Sequence, residues 1–385
     1  MYFAWNACNL IKIRCNVRRR TYAVFSCCRR NRRQPGQQQN TGPRFSWCVV
    51  NRTQSYKERQ CDQDFEEEFD QMASNTGVSG HFAKALESTR TVAGLHRYKF
   101  PICDNDLDNI NASPEEKELR CKLAAVYRLI DLYGWSNNIF NHITVNASKD
   151  NTQFLINPFG LMFYEVSASN LIKVDLEGNI LERGSTEYEC FRPGWLLQSA
   201  VHAARPDLQC LIHVHTPAGT AVSAMKCGLL KCSQDALLAG EIANHPYRGI
   251  FMDEEEMKSI VESLGRSAKV LILQNHGLLV GGDTIEDAFF RLTHVMAACE
   301  VQIRLMASGN LDNIILPEEM MLDKERQVIL RDRKTSGRVM TKSGTAMPVK
   351  ELQFEAQVRM LDIMGLKTGY KYKKMPKAFL EKKTQ

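Results

Sequence analysis

Apolar positions in the central part of this chain follow two rhythms, one every third or fourth residue and one every second. The switches between them mark the elements. Ser113-Pro-Glu-Glu116 has the form of a capping box with proline at the first helical position. Leu119, Leu123, Val126, Ile130 and Tyr133 follow at helical spacing, and Gly134 supplies the stop. Short strand-like runs come next at 142–145, 153–157 and 171–175, the last ending in a Leu-Glu-Gly-Asn turn. Pro193 opens a helix with Leu197, Val201 and Ala204 on one face, and Pro206 ends it. A strand at 208–213 precedes helices at 217–226 and 253–264, and a strand at 269–274 precedes a long helix at 284–307. A shorter helix is predicted at 352–364. Strands and helices in alternation predict an α/β fold, with a central mixed, largely antiparallel sheet between helix layers.

Composition adds a division of the chain. The net charge is +6, but residues 1–60 hold 13 Lys and Arg against one acid, Glu58. The remaining 325 residues carry 37 Lys and Arg against 43 Asp and Glu. A basic leader is therefore joined to a mildly acidic globule. The predicted organisation is a disordered leader at 1–80, a linker with short helices at 81–112 and a globular domain at 113–310. A polar connector at 311–350 then leads to a helix and a lysine-rich end at 351–385. Arg29, Arg30, Arg32 and Arg33, together with Lys373 and Lys374, are the expected contacts for a membrane surface or an acidic partner. The first 57 residues are also acid-free and Arg-rich, as in a mitochondrial presequence, and Cys27-Cys28 would suit palmitoylation. A solvated tail is the plainer reading. Thirteen scattered cysteines without a Cys-x-x-Cys pair, and no secretory apolar core, predict a cytoplasmic chain with reduced thiols. No run approaches 18 apolar residues, so no membrane-spanning helix is expected.

Three histidines carry the candidate chemistry. His213 and His215 stand two apart in Leu211-Ile-His-Val-His-Thr-Pro-Ala-Gly219, so on a strand both share a face. His276 follows the 269–274 strand in Gln274-Asn-His-Gly277. Three imidazoles with a fourth position open would suit catalytic zinc or another divalent metal. Nine histidines in 385 residues also make an accidental His-x-His ordinary, and satisfied core histidines remain the alternative.

These motifs, with Ala204-Arg-Pro-Asp207 before them, resemble the class II aldolase/adducin domain family. Within it the chain is most similar to the adducin heads. The blocks that carry this include Phe140-Asn-His-Ile-Thr144, Pro158-Phe-Gly-Leu161, the run from Thr216 to Leu230, and Val270-Leu-Ile-Leu-Gln-Asn-His-Gly277. Phe354-Glu-Ala-Gln-Val-Arg-Met-Leu-Asp362 with Thr368-Gly-Tyr370 resembles the segment that follows the adducin head. The resemblance implies an oligomer, and in the aldolases a metal held by three histidines, a proton-transferring glutamate and a phosphate loop. Carried over by residue, the triad is His213, His215 and His276, and the phosphate loop keeps Asn141 but has Phe140 at its glycine position. Arg192 and Pro193 stand at the two serine positions, and Gly194 at the glutamate. Glu187 and Glu189 lie nearby but would have to swing in.

The expectation is a pseudoenzyme with a vestigial metal site and no required cofactor. It would be a non-enzymatic membrane-skeleton adaptor that binds actin filaments and spectrin through an oligomerising head. Its place would be the cytoskeleton at the cytoplasmic face of the plasma membrane. Calmodulin or acidic lipid would meet the basic ends, the C-terminal one being either a shortened form of the adducin tail or a solvated helix end. Nucleic acid is not expected as a partner. The alternative is a metal-dependent aldolase or epimerase acting on a small sugar phosphate.

Overall fold

The computed structural model describes residues 100–246, 254–316 and 348–373, together with the backbone of 24–26, 48–50, 338–340 and 346–347. The chain divides into two compact units, Met1–Gly80 and His81–Gln385. In the first, β1 (Val24–Ser26) pairs antiparallel with β2 (Cys48–Val50). The rest of the predicted leader and the 81–99 stretch lie outside the described residues.

The second unit is built on eight strands. They are β3 (His142–Asn146), β4 (Gln153–Ile156), β5 (Ile172–Asp175), β6 (Ile180–Glu182), β7 (Cys210–Val214), β8 (Ile242–His245), β9 (Val270–Leu273) and β10 (Gly277–Gly282). Their order across the sheet is β6-β5-β4-β3-β7-β10-β9-β8. Every pairing is antiparallel except β8 with β9. The sheet is thus mixed and largely antiparallel, as the hydrophobic pattern predicts.

Alternation along the strands sorts the core into two faces. Ile143, Val145, Leu155, Ile212, Val214, Ile272 and Val280 join the cluster formed with α1 (Pro114–Leu132), α6 (Ile285–Leu305) and α7 (Val349–Ile363). Leu211, Leu271 and Leu279 face the other way, onto α2 (Arg192–Ala204) and α5 (Glu254–Leu264). Phe154, Ile156, Ile172 and Val174 continue that face around the buried Trp195 of α2. His213 shares the parity of Leu211, and Thr144 that of His142, so these polar side chains are aimed at the α2 layer.

Caps close the helices where the sequence provides them. The Ser113 hydroxyl accepts from the Glu116 N–H at 3.2 Å, and Pro114 occupies the first helical position of α1. Thr216, directly after His215, accepts from the Gly219 N–H at 2.9 Å and starts α3 (Pro217–Ser223). A short α4 (Gln234–Leu238) follows, capped by Ser233. Thr284 caps α6 in the same way. Towards the C-terminus β11 (Arg338–Met340) pairs with β12 (Ala346–Pro348), which runs directly into α7.

Within the eight-stranded sheet the predicted strands recur within a few residues, but three, β6, β8 and β10, have no counterpart among the expectations. Neither do β1 and β2 in the predicted leader or β11 and β12 near the C-terminal helix. The histidine strand also ends at Val214, so His215 lies one residue beyond it. Among the described residues no helix is long and apolar enough to cross a membrane.

Candidate metal centre

His213 sits on β7 between β3 and β10, opposite His142 in one register and Leu279 in the other. Its Nδ1 lies 3.0 Å from the Leu278 carbonyl oxygen. A carbonyl only accepts, so Nδ1 carries the hydrogen and Nε2 is left as a lone pair, the form that binds a metal. His215 is fixed through its backbone, because its N–H donates to Asn141 Oδ1 at 2.9 Å. The amide of Asn141 in turn donates to the Asn137 carbonyl at 2.9 Å. Asn141, expected as the remnant of a phosphate loop, is buried and committed to these two bonds.

His276 comes from the tight turn between β9 and β10. Asn275 takes a left-handed φ of 54° there, and its N–H donates to the Ser223 carbonyl. Thr220 of α3 bonds the His276 carbonyl at 3.2 Å. A Cβ on Gly277 would lie 2.6 Å from the Val214 carbonyl oxygen and 2.9 Å from the His215 ring. Only glycine therefore lets this turn approach β7.

The turn and the strand end bring the three rings together. Ring centroids are 4.5 Å apart for His213 and His215, 4.5 Å for His215 and His276, and 5.3 Å for His213 and His276. One nitrogen from each ring falls within a group no more than 4.8 Å across. His213 Nε2 and His215 Nε2 are 2.7 Å apart. Burial, and then the neighbouring imidazoles, push the His213 pKa well below its ordinary value. Burial and His276 lower His215 to about 4, and burial lowers His276. All three are neutral at pH 7 and keep lone pairs to offer. Three neutral imidazoles, one locked by an outer carbonyl, fit a divalent transition metal with an open coordination position. His213→Ala is expected to weaken zinc binding by more than the 10–100-fold that loss of an outer partner alone costs. Isothermal titration of the metal-stripped protein measures it, and unchanged affinity would remove His213 from the ligand set.

Among the described residues, glycine stands where the resemblance places the proton-transferring glutamate. Gly194 lies in the first turn of α2, and a Cβ there would stand 2.6 Å from His142 Cδ2 and Nε2. Glu187 is exposed, and Glu189 is exposed and paired with Arg183 at 2.7 Å. Where the resemblance places phosphate-binding groups, Phe191 stacks on Phe159 at 4.5 Å and Phe140 leans on both at 6.0–6.1 Å. His142, the first residue of β3, gives no spacing signal that ties it to the triad. It is buried, its ring is 4.8 Å from that of His213, and burial lowers its pKa to about 3.

The basic positions divide. Arg29, Arg30, Arg32, Arg33 and Lys374 lie outside the described residues. Lys373 is exposed, but its ammonium pairs with Glu351 and its N–H donates to Glu355 at 2.9 Å.

Comparison with known proteins agrees with the fold. Residues 121–303 match the model of the Class II Aldolase and Adducin N-terminal domain. Alpha-adducin of Rattus norvegicus is 48% identical over 277 residues, which are 70% of this chain and 37% of that protein. The chain thus spans little more than a third of the curated relatives' length. An aldolase II superfamily protein from Pseudomonas syringae superimposes with a TM-score of 0.59 at 37% identity, over 68% of this chain and 98% of that one. L-fuculose 1-phosphate aldolase from Glaciozyma antarctica PI12 superimposes at 0.55 with 25% identity, over 69% and 98%.

Proposed function

The chain belongs to the class II aldolase and adducin N-terminal domain family, and from that premise we propose that it is a non-enzymatic, adducin-like cytoskeletal adaptor. The observation that carries this is position 194. A triad able to hold a metal stands beside a helix turn with no side chain to move a proton. A divalent ion there would supply Lewis acidity, but general acid–base catalysis is worth about 10²–10⁴-fold and position 194 has no side chain to supply it. His213, His215 and His276 would hold the ion, and the bond from His213 Nδ1 to Leu278 would orient the first of them. In this reading the metal stiffens the junction of β7, the 273–277 turn and α3.

The partners follow from the likeness to adducin. The head oligomerises with itself or a related subunit, and the protein engages actin filaments and spectrin at the cytoplasmic face of the plasma membrane. Calmodulin or acidic lipid would bind the arginines at 29–33 and the lysines at the C-terminal end. Lys371 and Lys373 already pair with Glu118 and Glu351, so partners there compete with internal acids.

An aldolase or epimerase acting on a small sugar phosphate is the second reading, favoured by the complete triad. It is tested by incubating zinc-loaded protein with L-fuculose 1-phosphate and following aldehyde release. No release above the buffer control is expected. Release that disappears in His213→Ala would reverse the assignment.

A further inference from the structure

The space beside the triad that a side chain at 194 would occupy is already taken. A Cβ added to Gly194 lies 2.6 Å from two atoms of the His142 ring and 2.8 Å from Phe191 Cδ1. Contacts that short require a neighbour to move, and the surroundings resist it. His142 is 3% exposed. On one side it is held by the cross-strand pairing of β3 with β7, which puts its ring against His213. On the other side its Nδ1 is 2.8 Å from Gln198 Nε2.

Gln198 is itself fully buried and pinned. Its Oε1 lies 2.8 Å from the Thr144 hydroxyl, which is 2.7 Å from His202 Nε2. His202 Nδ1 closes the chain 3.1 Å from the Leu208 carbonyl. Gly194 and Gln198 are four residues apart on α2, so they lie on one face one turn from each other. The first leaves the gap and the second grips the ring that fills it. Phe191 cannot retreat freely either, since it is stacked on Phe159.

We infer that His142 is a plug for the site, a positioning residue seated by Gly194 and Gln198 that excludes any side chain at 194 from the triad. This rests on the reading of the site as a metal centre without an acid/base group, and it implies that one substitution at 194 does not restore that group. Glutamate at 194 would need the volume of a ring that a buried polar chain holds in place. The two positions have to change together.

A double-mutant cycle on the full chain tests the inference through thermal unfolding, which is read independently of filament binding and of turnover. Gly194→Ala is expected to lower the unfolding midpoint by about 3–10 °C, the effect of overpacking a well-filled site in a domain of this size. In the His142→Ala background the same change should cost less than half as much, and Gly194→Glu should accumulate as folded protein only there. Should Gly194→Ala alone fail to fold, recovery of folded protein in the double variant supports the plug equally. Additive effects, a shift under 1 °C for Gly194→Ala, or failure of the double variant where His142→Ala folds would each overturn it. Gln198→Leu supplies the specific control, because a ring freed of its grip should make Gly194→Ala less costly than in the wild type. An undiminished cost there would count against the role given to Gln198.

Discussion

Lowering the pH from 7 to 5 is expected to destabilise the folded chain by about 4 kcal/mol through His142 and His202 alone. Burial pushes both rings down to about 3, against an ordinary value of 6.5. The unfolded chain therefore takes up protons as the pH passes 6.5, while the folded chain refuses them until about 3. Between those values the unfolded state binds more protons, so stability falls as the pH falls. Each ring contributes about 2 kcal/mol over this interval. His213 acts in the same direction, and bound metal would steepen the dependence because protons compete for its ligands. Urea unfolding at pH 7, 6 and 5, followed by tryptophan fluorescence, to which the buried Trp195 contributes, measures the effect. A midpoint independent of pH would mean that these rings are not buried as described.

Asp287→Ala is expected to cost about 3–5 kcal/mol, because it leaves buried cations without their counter-charge. Asp287 is 3% exposed on α6 and gathers Arg291 at 3.3 Å, Lys269 at 3.5 Å and Lys350 of α7. Its Oδ2 also accepts from the Asp283 N–H at 3.2 Å. Burial raises its carboxyl, but Arg291, Lys350 and Lys269 outweigh that and hold it below the usual carboxylate range. The stabilisation is therefore present above the ordinary value of 3.8 and is lost as the pH falls below it. Lys350 is partly exposed and Lys269 also pairs with Asp283, so part of the charge can find water or another acid. The lower end of the range is the expected value. Asp287 lies within residues 121–303, whereas Lys350 lies beyond them, so the same carboxylate fastens α7 to the segment that matches the family domain. Equilibrium denaturation of the variant measures the loss, and a change under about 1 kcal/mol would remove Asp287 as the fastening point.

The elements that could be read from the sequence were those with local punctuation. Ser113, Pro114 and Gly134 bracket α1, and the long helix to Leu305 announces itself by spacing. The triad was legible because His213 and His215 stand two apart at a strand end and His276 follows another strand. The missed strands lack such signals. Gly277–Gly282 begins and ends in glycine and is buried on both faces, so it shows no alternation. Ile242–His245 is a sheet edge made of Ile, Ala, Asn and His, with little strand preference beyond its first residue.

The plug beside the triad was illegible for a different reason. Its parts, His142, Gly194 and Gln198, are more than 50 residues apart at their widest and meet only through the β3–β7 register and the packing of α2. Gly194 could be read as the loss of an acid/base group, but not as a position already filled. The commitment of Asn141 to the His215 backbone is likewise a tertiary fact.

Co-sedimentation of the full chain with actin filaments, with and without spectrin and across a salt series, tests the adaptor reading most directly. Spectrin-enhanced pelleting that survives about 0.15 M salt is predicted, unchanged in His213→Ala if, as proposed, the triad takes no part in filament binding. Pelleting confined to low salt and indifferent to spectrin would contradict the account, since exposed charges alone produce that behaviour.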